Sequence, residues 1–221
     1  MNKRGPSGGE PRVIRLLMEL RRLGVTDANV LGAIERVPRE KFVLPQFLDQ
    51  AYENIALPIG EGQTISQPIV VALMTQALEL NDRCKVLEVG TGSGYQTAVL
   101  SPLCRRIYSI ERHKSLLKTT EARFRDLRLT NVTAIAGDGS RGWPEQAPFD
   151  RIMVTAAGRK LPEPLMEQLA VGGIMVVPVG SRSSDQEVRR IRRTAEGYTT
   201  ESLFPVRFVP LVSDSEEEKR A

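Results

Sequence analysis

Between Lys85 and Gly180 the chain alternates short apolar runs with stretches of helical pattern. The runs at 85–89, 106–110, 132–136, 150–155 and 173–178 read as strands. Helices fit the gaps, most clearly at Lys114–Leu127 and Pro162–Leu169. Short apolar strands separated by helices pair in parallel and are covered on both sides. The pattern therefore predicts an α/β fold: a doubly wound, mostly parallel sheet with helices on both faces.

What flanks this core is different in kind. Pro11–Leu23 sets Val13, Leu16, Leu17 and Leu20 at helical spacing before Gly24, and a second helix runs from a cap at Thr26 or Asp27 to about Val37. A long irregular stretch with prolines and glycines follows, from Phe42 to Pro68, and then a helix from Pro68 to about Leu80, for which Ser66 is a possible cap. From about Glu187 two or three more strands are expected, with 204–211 closing the sheet.

Composition narrows the class. With 41% apolar and 26% charged residues the chain is an ordinary globular protein. Its apolar runs fall far short of the roughly 20 residues that span a bilayer, so no membrane partner is expected. The start, MNKRGPSGGEP, carries no apolar stretch of the secretory kind, and a cytoplasmic protein is the simplest expectation. Cys84 and Cys104 have neither disulfide-framework nor metal-ligand spacing and read as buried thiols. The net charge of +4 is dispersed. Its densest cluster, VRRIRRT at 188–194, reads as a solvated strand face rather than a nucleic-acid site.

The stretch that carries chemistry is EVGTGSGYQT at 88–97, directly after the first strand of the core. Ligands of doubly wound sheets bind at the carboxyl ends of strands, where this loop lies. Its spacing is G-x-G-x-G. The dinucleotide fingerprint needs a glycine at position 95, and Tyr95 stands there, which disfavours a dehydrogenase. Two carboxylates follow at successive strand ends. Glu111 closes IYSIE, where it can accept from two ribose hydroxyls or simply end a strand at the surface. Asp138, in AGDG, can accept from an adenine amino group or form an Asp-Gly turn.

The loop resembles the first motif of S-adenosylmethionine-dependent methyltransferases. Beyond it, ALPIGEGQTISQP (56–68), GDGSRGWPEQAPFDRI (137–152), GGIMVVPVG (172–180) and RFVPLV (207–212) are similar to the protein-L-isoaspartate O-methyltransferase family, over about residues 45–212. The resemblance implies a Rossmann-like methyltransferase sheet with a helical lead-in and extra C-terminal strands, acting on the α-carboxylate of isoaspartyl residues in proteins and peptides. It implies Ser66 as the active-site serine. It implies a cofactor set of Gln63, Thr64, Ile65, Glu88, Gly90, Thr91, Gly92, Gly94, Glu111, Asp138, Gly139 and Thr155, and no metal. Gln63–Ile65 would cover S-adenosylmethionine, and RFVPLV would help form the acceptor pocket. Residues 1–221 then form a single domain: flexible tail 1–10, helical lead-in and substrate loop 11–80, cofactor-binding core 81–180, C-terminal strands 181–212 and flexible tail 213–221. A monomer without nucleic-acid partners is expected.

The chemistry suits these residues. A carboxylate acceptor is ionised at neutral pH, so its methylation needs alignment rather than a general base. The one histidine, His113, reads as a helix-starting residue. A base-amine methyltransferase would carry Asn or Asp with Pro-Pro and an aromatic after the fourth strand; the chain has Thr155-Ala156-Ala157-Gly158.

Overall fold

The structure, a computed structural model, describes residues 11–181 and 186–213. The expected tails therefore lie outside the described residues, except Ser213. The lead-in is helical. Helix α1 (Pro11–Arg22) buries Val13, Leu16, Leu17 and Leu20, one stripe at i, i+3, i+4 and i+7. Helix α2 (Ala28–Arg36) is capped by Asp27, whose carboxylate accepts from the N–H groups of Asn29 and Val30. The irregular stretch is not structureless. It forms two short 3₁₀ turns and a hairpin, β1 (Leu57–Gly60) with β2 (Gln63–Ile65), and buries Phe42, Val43, Ala51, Leu57, Ile59 and Ile65 against the lead-in. Helix α3 (Pro68–Ala77) then leads into the core.

The core elements are β3 (Lys85–Val89), α4 (Tyr95–Leu100), β4 (Arg106–Glu111), α5 (Lys114–Asp126), β5 (Val132–Ala136), β6 (Phe149–Val154), α6 (Glu163–Glu167), β7 (Leu169–Val179), β8 (Gln186–Arg193) and β9 (Tyr198–Val206). They build one seven-stranded sheet in the order β5-β4-β3-β6-β7-β8-β9. Pairs from β5 to β7 are parallel; β8 and β9 are antiparallel. This is the expected doubly wound, mostly parallel architecture. Side chains alternate between two cores: Val86, Ile174 and Val176 pack on one side, Leu87, Val89, Met175 and Val177 on the other. Both faces are dry, which is why these strands read as continuous apolar runs. Since β3 pairs with β4 on one side and β6 on the other, the strand order reverses there. A crevice forms beyond their carboxyl ends.

Three expectations change. The helix expected to reach Leu169 stops at Glu167, because Leu169 already pairs with Phe149 and opens β7 four residues before the expected start at 173. Helix α3 ends at Ala77 rather than Leu80, where Glu79 turns the backbone left-handed. The third concerns 204–211: residues 204–206 lie in the edge strand as expected, but 207–211 leave the sheet. Edge strand β9 ends at Val206. The buried Gln186 amide takes the Phe208 N–H at 2.6 Å and reaches its carbonyl at 3.3 Å, in place of a ladder partner. The chain then crosses to Ala157, which bonds Val209 and Leu211, both at 2.8 Å.

Candidate active site

The loop after β3 is shaped by backbone constraints. Gly90, Gly92 and Gly94 all have positive φ. At Gly90 an added Cβ would sit 2.3 Å from Thr155 Oγ1, and at Gly94 2.6 Å from both Phe124 and Thr120 of α5. The loop is thus gripped between the end of β6 and the face of α5. Thr155 completes the grip by donating to Gly90 O at 2.7 Å. A cavity of about 290 Å³ opens over the loop.

Glu111 stands on its wall, only 4% exposed. Its Oε2 accepts the Gly92 N–H at 2.7 Å and its Oε1 the His113 N–H at 2.9 Å. Each carboxylate oxygen can accept more than one bond, so both retain capacity toward the cavity. His113 lines the same wall and begins α5. Gln63, Thr64, Ile65, Gly90, Thr91, Gly92, Gly139 and Thr155 line the cavity as well, with 209–212 on the facing side.

Three residues of the expected set do not line it. Glu88 is wholly buried beneath the loop. Its Oε2 accepts from Thr97 Oγ1 at 2.5 Å and Ser109 Oγ at 2.6 Å, Ser109 Oγ lies 2.6 Å from Thr91 Oγ1, and Oε1 is unpartnered. Burial, against those two hydroxyls, pushes its pKa up to about 7. Gly94 serves the packing of α4 on α5. Asp138 turns inward: its Oδ1 accepts the Ser140 N–H at 2.9 Å and the Ser140 hydroxyl at 2.7 Å, and Oδ2 lies 3.6 Å from Arg141 Nε. The Asp-Gly turn is real, and Gly139 beside it reaches the cavity.

Ser66 is half-buried and borders two cavities. The second is lined by Gln67, Val70, Gln186 and 205–209 among others, and the two share Thr64, Ser66, Thr155 and Val209. Ser66 does not cap α3. The N-cap is Gln67, without a side-chain cap bond. Asn54, remote in sequence, accepts the Ile69 N–H on Oδ1 at 3.0 Å, and its carbonyl accepts Gln67 Nε2 at 2.6 Å. The serine hydroxyl is left for other work. Asn54 and Gln186 are the supporting residues that sequence reasoning missed; an amide whose partners lie far along the chain has no local pattern to betray it.

The basic cluster lies at the surface, as expected, but its arginines are engaged rather than free. Arg190 pairs with Glu201 at 2.5 Å and with Glu79 at 3.0 Å, Arg192 also pairs with Glu79, and Arg193 donates to the Glu167 and Leu169 carbonyls. It fastens β8 to β9 and to the residues after α3. Among the described residues no group of three or more His, Cys, Asp or Glu could hold a metal ion. Nor, among them, is any helix long and apolar enough to cross a membrane.

Comparison with known proteins gives a consistent picture. The family model for protein-L-isoaspartate(D-aspartate) O-methyltransferase matches residues 12–216. A protein-L-isoaspartate O-methyltransferase of Paramagnetospirillum magneticum is 65% identical over 210 residues, 95% of this chain and 98% of that one. Its counterpart in Rhodospirillum rubrum is 67% identical over 203 residues, covering 91% and 93%. Among solved structures, a protein-L-isoaspartate O-methyltransferase superposes with TM-score 0.83 at 29% identity, over 94% of this chain and 69% of that one. A putative enzyme of the same name from Plasmodium falciparum, in complex with S-adenosyl-L-homocysteine, gives 0.78 at 26% identity, covering 92% and 99%.

Proposed function

The chain belongs to the protein-L-isoaspartate(D-aspartate) O-methyltransferase family, and we propose that it methylates the free α-carboxylate of L-isoaspartyl residues in damaged proteins and peptides, with Ser66 holding the acceptor. The methyl donor is S-adenosylmethionine, whose sulfonium supplies an electrophilic methyl carbon.

The cavity residues fit that donor. Glu111 would take the ribose hydroxyls, because its oxygens each carry one backbone N–H and have room for another. The bare backbone at 90–92 lets the methionyl part lie close. Gln63–Ile65 would cover it, Glu88 and Thr155 would brace the loop from below and beside, and Asp138 with Gly139 would border the adenine. The second cavity, walled by 205–209, would take the peptide.

The observation that carries this reading is Ser66 on the border of the two cavities. The acceptor carboxylate has an ordinary pKa near 4 and needs no base. Its attacking oxygen forms the new C–O bond as the S–CH₃ bond breaks, and the Ser66 hydroxyl donates to the carboxylate to hold that line. Such alignment supplies several kcal/mol of the barrier reduction. The product ester is attacked by a neighbouring amide to give a succinimide, which begins repair. The enzyme acts as a monomer in the cytoplasm and on proteins rather than nucleic acid; the pairing of Arg190 and Arg192 with Glu79 and Glu201 supports the last point.

Isoaspartyl and aspartyl peptides differ by one methylene moved from side chain to main chain, which shifts the carboxylate by about a bond length, roughly 1.5 Å. Misplacement on that scale costs about 100-fold in rate. Incorporation of labelled methyl should therefore favour an isoaspartyl peptide over its aspartyl twin by at least about that factor. Equal incorporation would reduce the enzyme to a general carboxyl methyltransferase, and incorporation into RNA but neither peptide would overturn the reading.

A further inference from the structure

One charged side chain is wholly buried and has no part in the chemistry above. Arg39 lies in the 3₁₀ turn Arg39–Phe42 and is 0% exposed. Among the described residues no carboxylate pairs with it. Its Nη2 donates to the Ser66 carbonyl at 2.8 Å and, more weakly, to the Ile55 carbonyl at 3.4 Å. Its Cζ stands 4.6 Å from the centre of the Tyr95 ring, whose side chain favours the charge, and Nε and Nη1 make no well-formed hydrogen bond. Burial pulls its pKa below the ordinary arginine value.

A cation in this condition is poor material for stability. Two buried donors are unsatisfied, and buried ionic groups can often be replaced by apolar side chains of similar volume without loss, or with gain. What Arg39 does hold is specific. Ser66 lies in the two-residue gap between β2 and α3, where neither sheet nor helix determines its backbone. Asn54 secures the residues after it; Arg39 secures Ser66 itself. The other contact of the guanidinium, Tyr95, is the first residue of α4 after the glycine loop and lines the cofactor cavity.

We propose that Arg39 is a positioning residue for methyl transfer, fixing the Ser66 main chain against the Tyr95 ring so that the acceptor side and the donor side keep one register. The proposal rests on the reading of Ser66 as the acceptor-holding residue. Its cost is a buried charge whose donors are not all satisfied, in keeping with sites that trade stability for function.

The test compares Arg39→Met, Arg39→Lys, Ser66→Ala and the double variant Arg39→Met/Ser66→Ala. For each, kcat and KM are measured with an isoaspartyl peptide, affinity for S-adenosylhomocysteine by calorimetry, and the melting temperature. Arg39→Met should fold with a melting temperature at or above that of the parent, bind S-adenosylhomocysteine normally, and lose about 10- to 100-fold in kcat. Arg39→Lys, which returns one donor to the Ser66 carbonyl, should recover part of that loss. In the Ser66→Ala background Arg39→Met should cost no more than about 2-fold further, because both changes remove one interaction. Normal kcat in Arg39→Met overturns the proposal. So do losses that multiply in the double variant, a parallel fall in S-adenosylhomocysteine affinity, or a protein that no longer folds, which would make Arg39 structural. Full activity in Ser66→Ala alone would instead remove the reading beneath the proposal, and the single Arg39 variants distinguish that case.

Discussion

Replacing Glu111 by glutamine keeps the shape of the side chain and removes its charge, in a place where both carboxylate oxygens are in use. Oε2 accepts from Gly92 and Oε1 from His113, and the group is nearly sealed from solvent. Whichever way the amide turns, its nitrogen faces one of those N–H groups. One buried donor then goes unpaired, at a cost of about 1–3 kcal/mol that appears as a lower melting temperature. The ligand suffers separately. On the proposed reading, two ribose hydroxyls that would bond a charged acceptor find one neutral oxygen, a loss of about 1.5–3 kcal/mol of binding. That corresponds to a roughly 10- to 150-fold weaker Kd for S-adenosylhomocysteine. Calorimetric titration measures the second effect and a thermal scan the first. A variant that melts earlier yet binds within about 2-fold of the parent would show the carboxylate to be a staple for the loop and nothing more, and the assignment of the ribose site would fall.

Two more expectations concern neighbouring groups. Ser66→Ala should slow turnover with unchanged S-adenosylhomocysteine affinity and almost no change in melting temperature, whereas Asn54→Ala, which uncaps α3, should lose about 0.5–2 kcal/mol of stability; a large melting shift in Ser66→Ala would restore the cap reading. Glu88, with its pKa raised from 4.5 to about 7 by burial, binds its proton more tightly folded than unfolded. Its stabilising contribution is complete below about pH 4.5 and is lost as pH rises through about 7. Melting temperature followed from pH 5 to 8 should fall more steeply in the parent than in Glu88→Gln, and identical slopes would show that Glu88 does not titrate in this window.

The parts of this protein that were legible in its residues are those set by local rules. The strands at Lys85–Val89 and Val132–Ala136 have the expected bounds because a short apolar run between breakers leaves few alternatives. The doubly wound topology follows from helices interleaved with such runs. Glu111 was singled out because a strand end after a glycine loop is a place where ligands bind, and it does line the cavity there. The less legible parts depend on partners far along the chain. Leu169 belongs to a strand because Phe149 pairs with it, against a helical pattern that included it. The arginines of 189–193 read as a surface face, but that Arg190 and Arg192 bond Glu79, more than a hundred residues earlier, could not be read from their neighbours.

Ser66 shows where the division falls. Its residue type and its place before Gln67-Pro68 allow two uses of one hydroxyl, capping a helix or holding an acceptor, and nothing nearby in the chain chooses between them. The capping use is removed by Asn54, which accepts the Ile69 N–H from 15 residues away, while Arg39 donates to the Ser66 carbonyl from 27 residues away. Period, turn geometry and a glycine's positive φ are properties of a few consecutive residues, so they can be read in order along the chain. Which hydrogen-bonding group is already satisfied depends on what the fold brings within about 3 Å, and that distance has no counterpart in sequence.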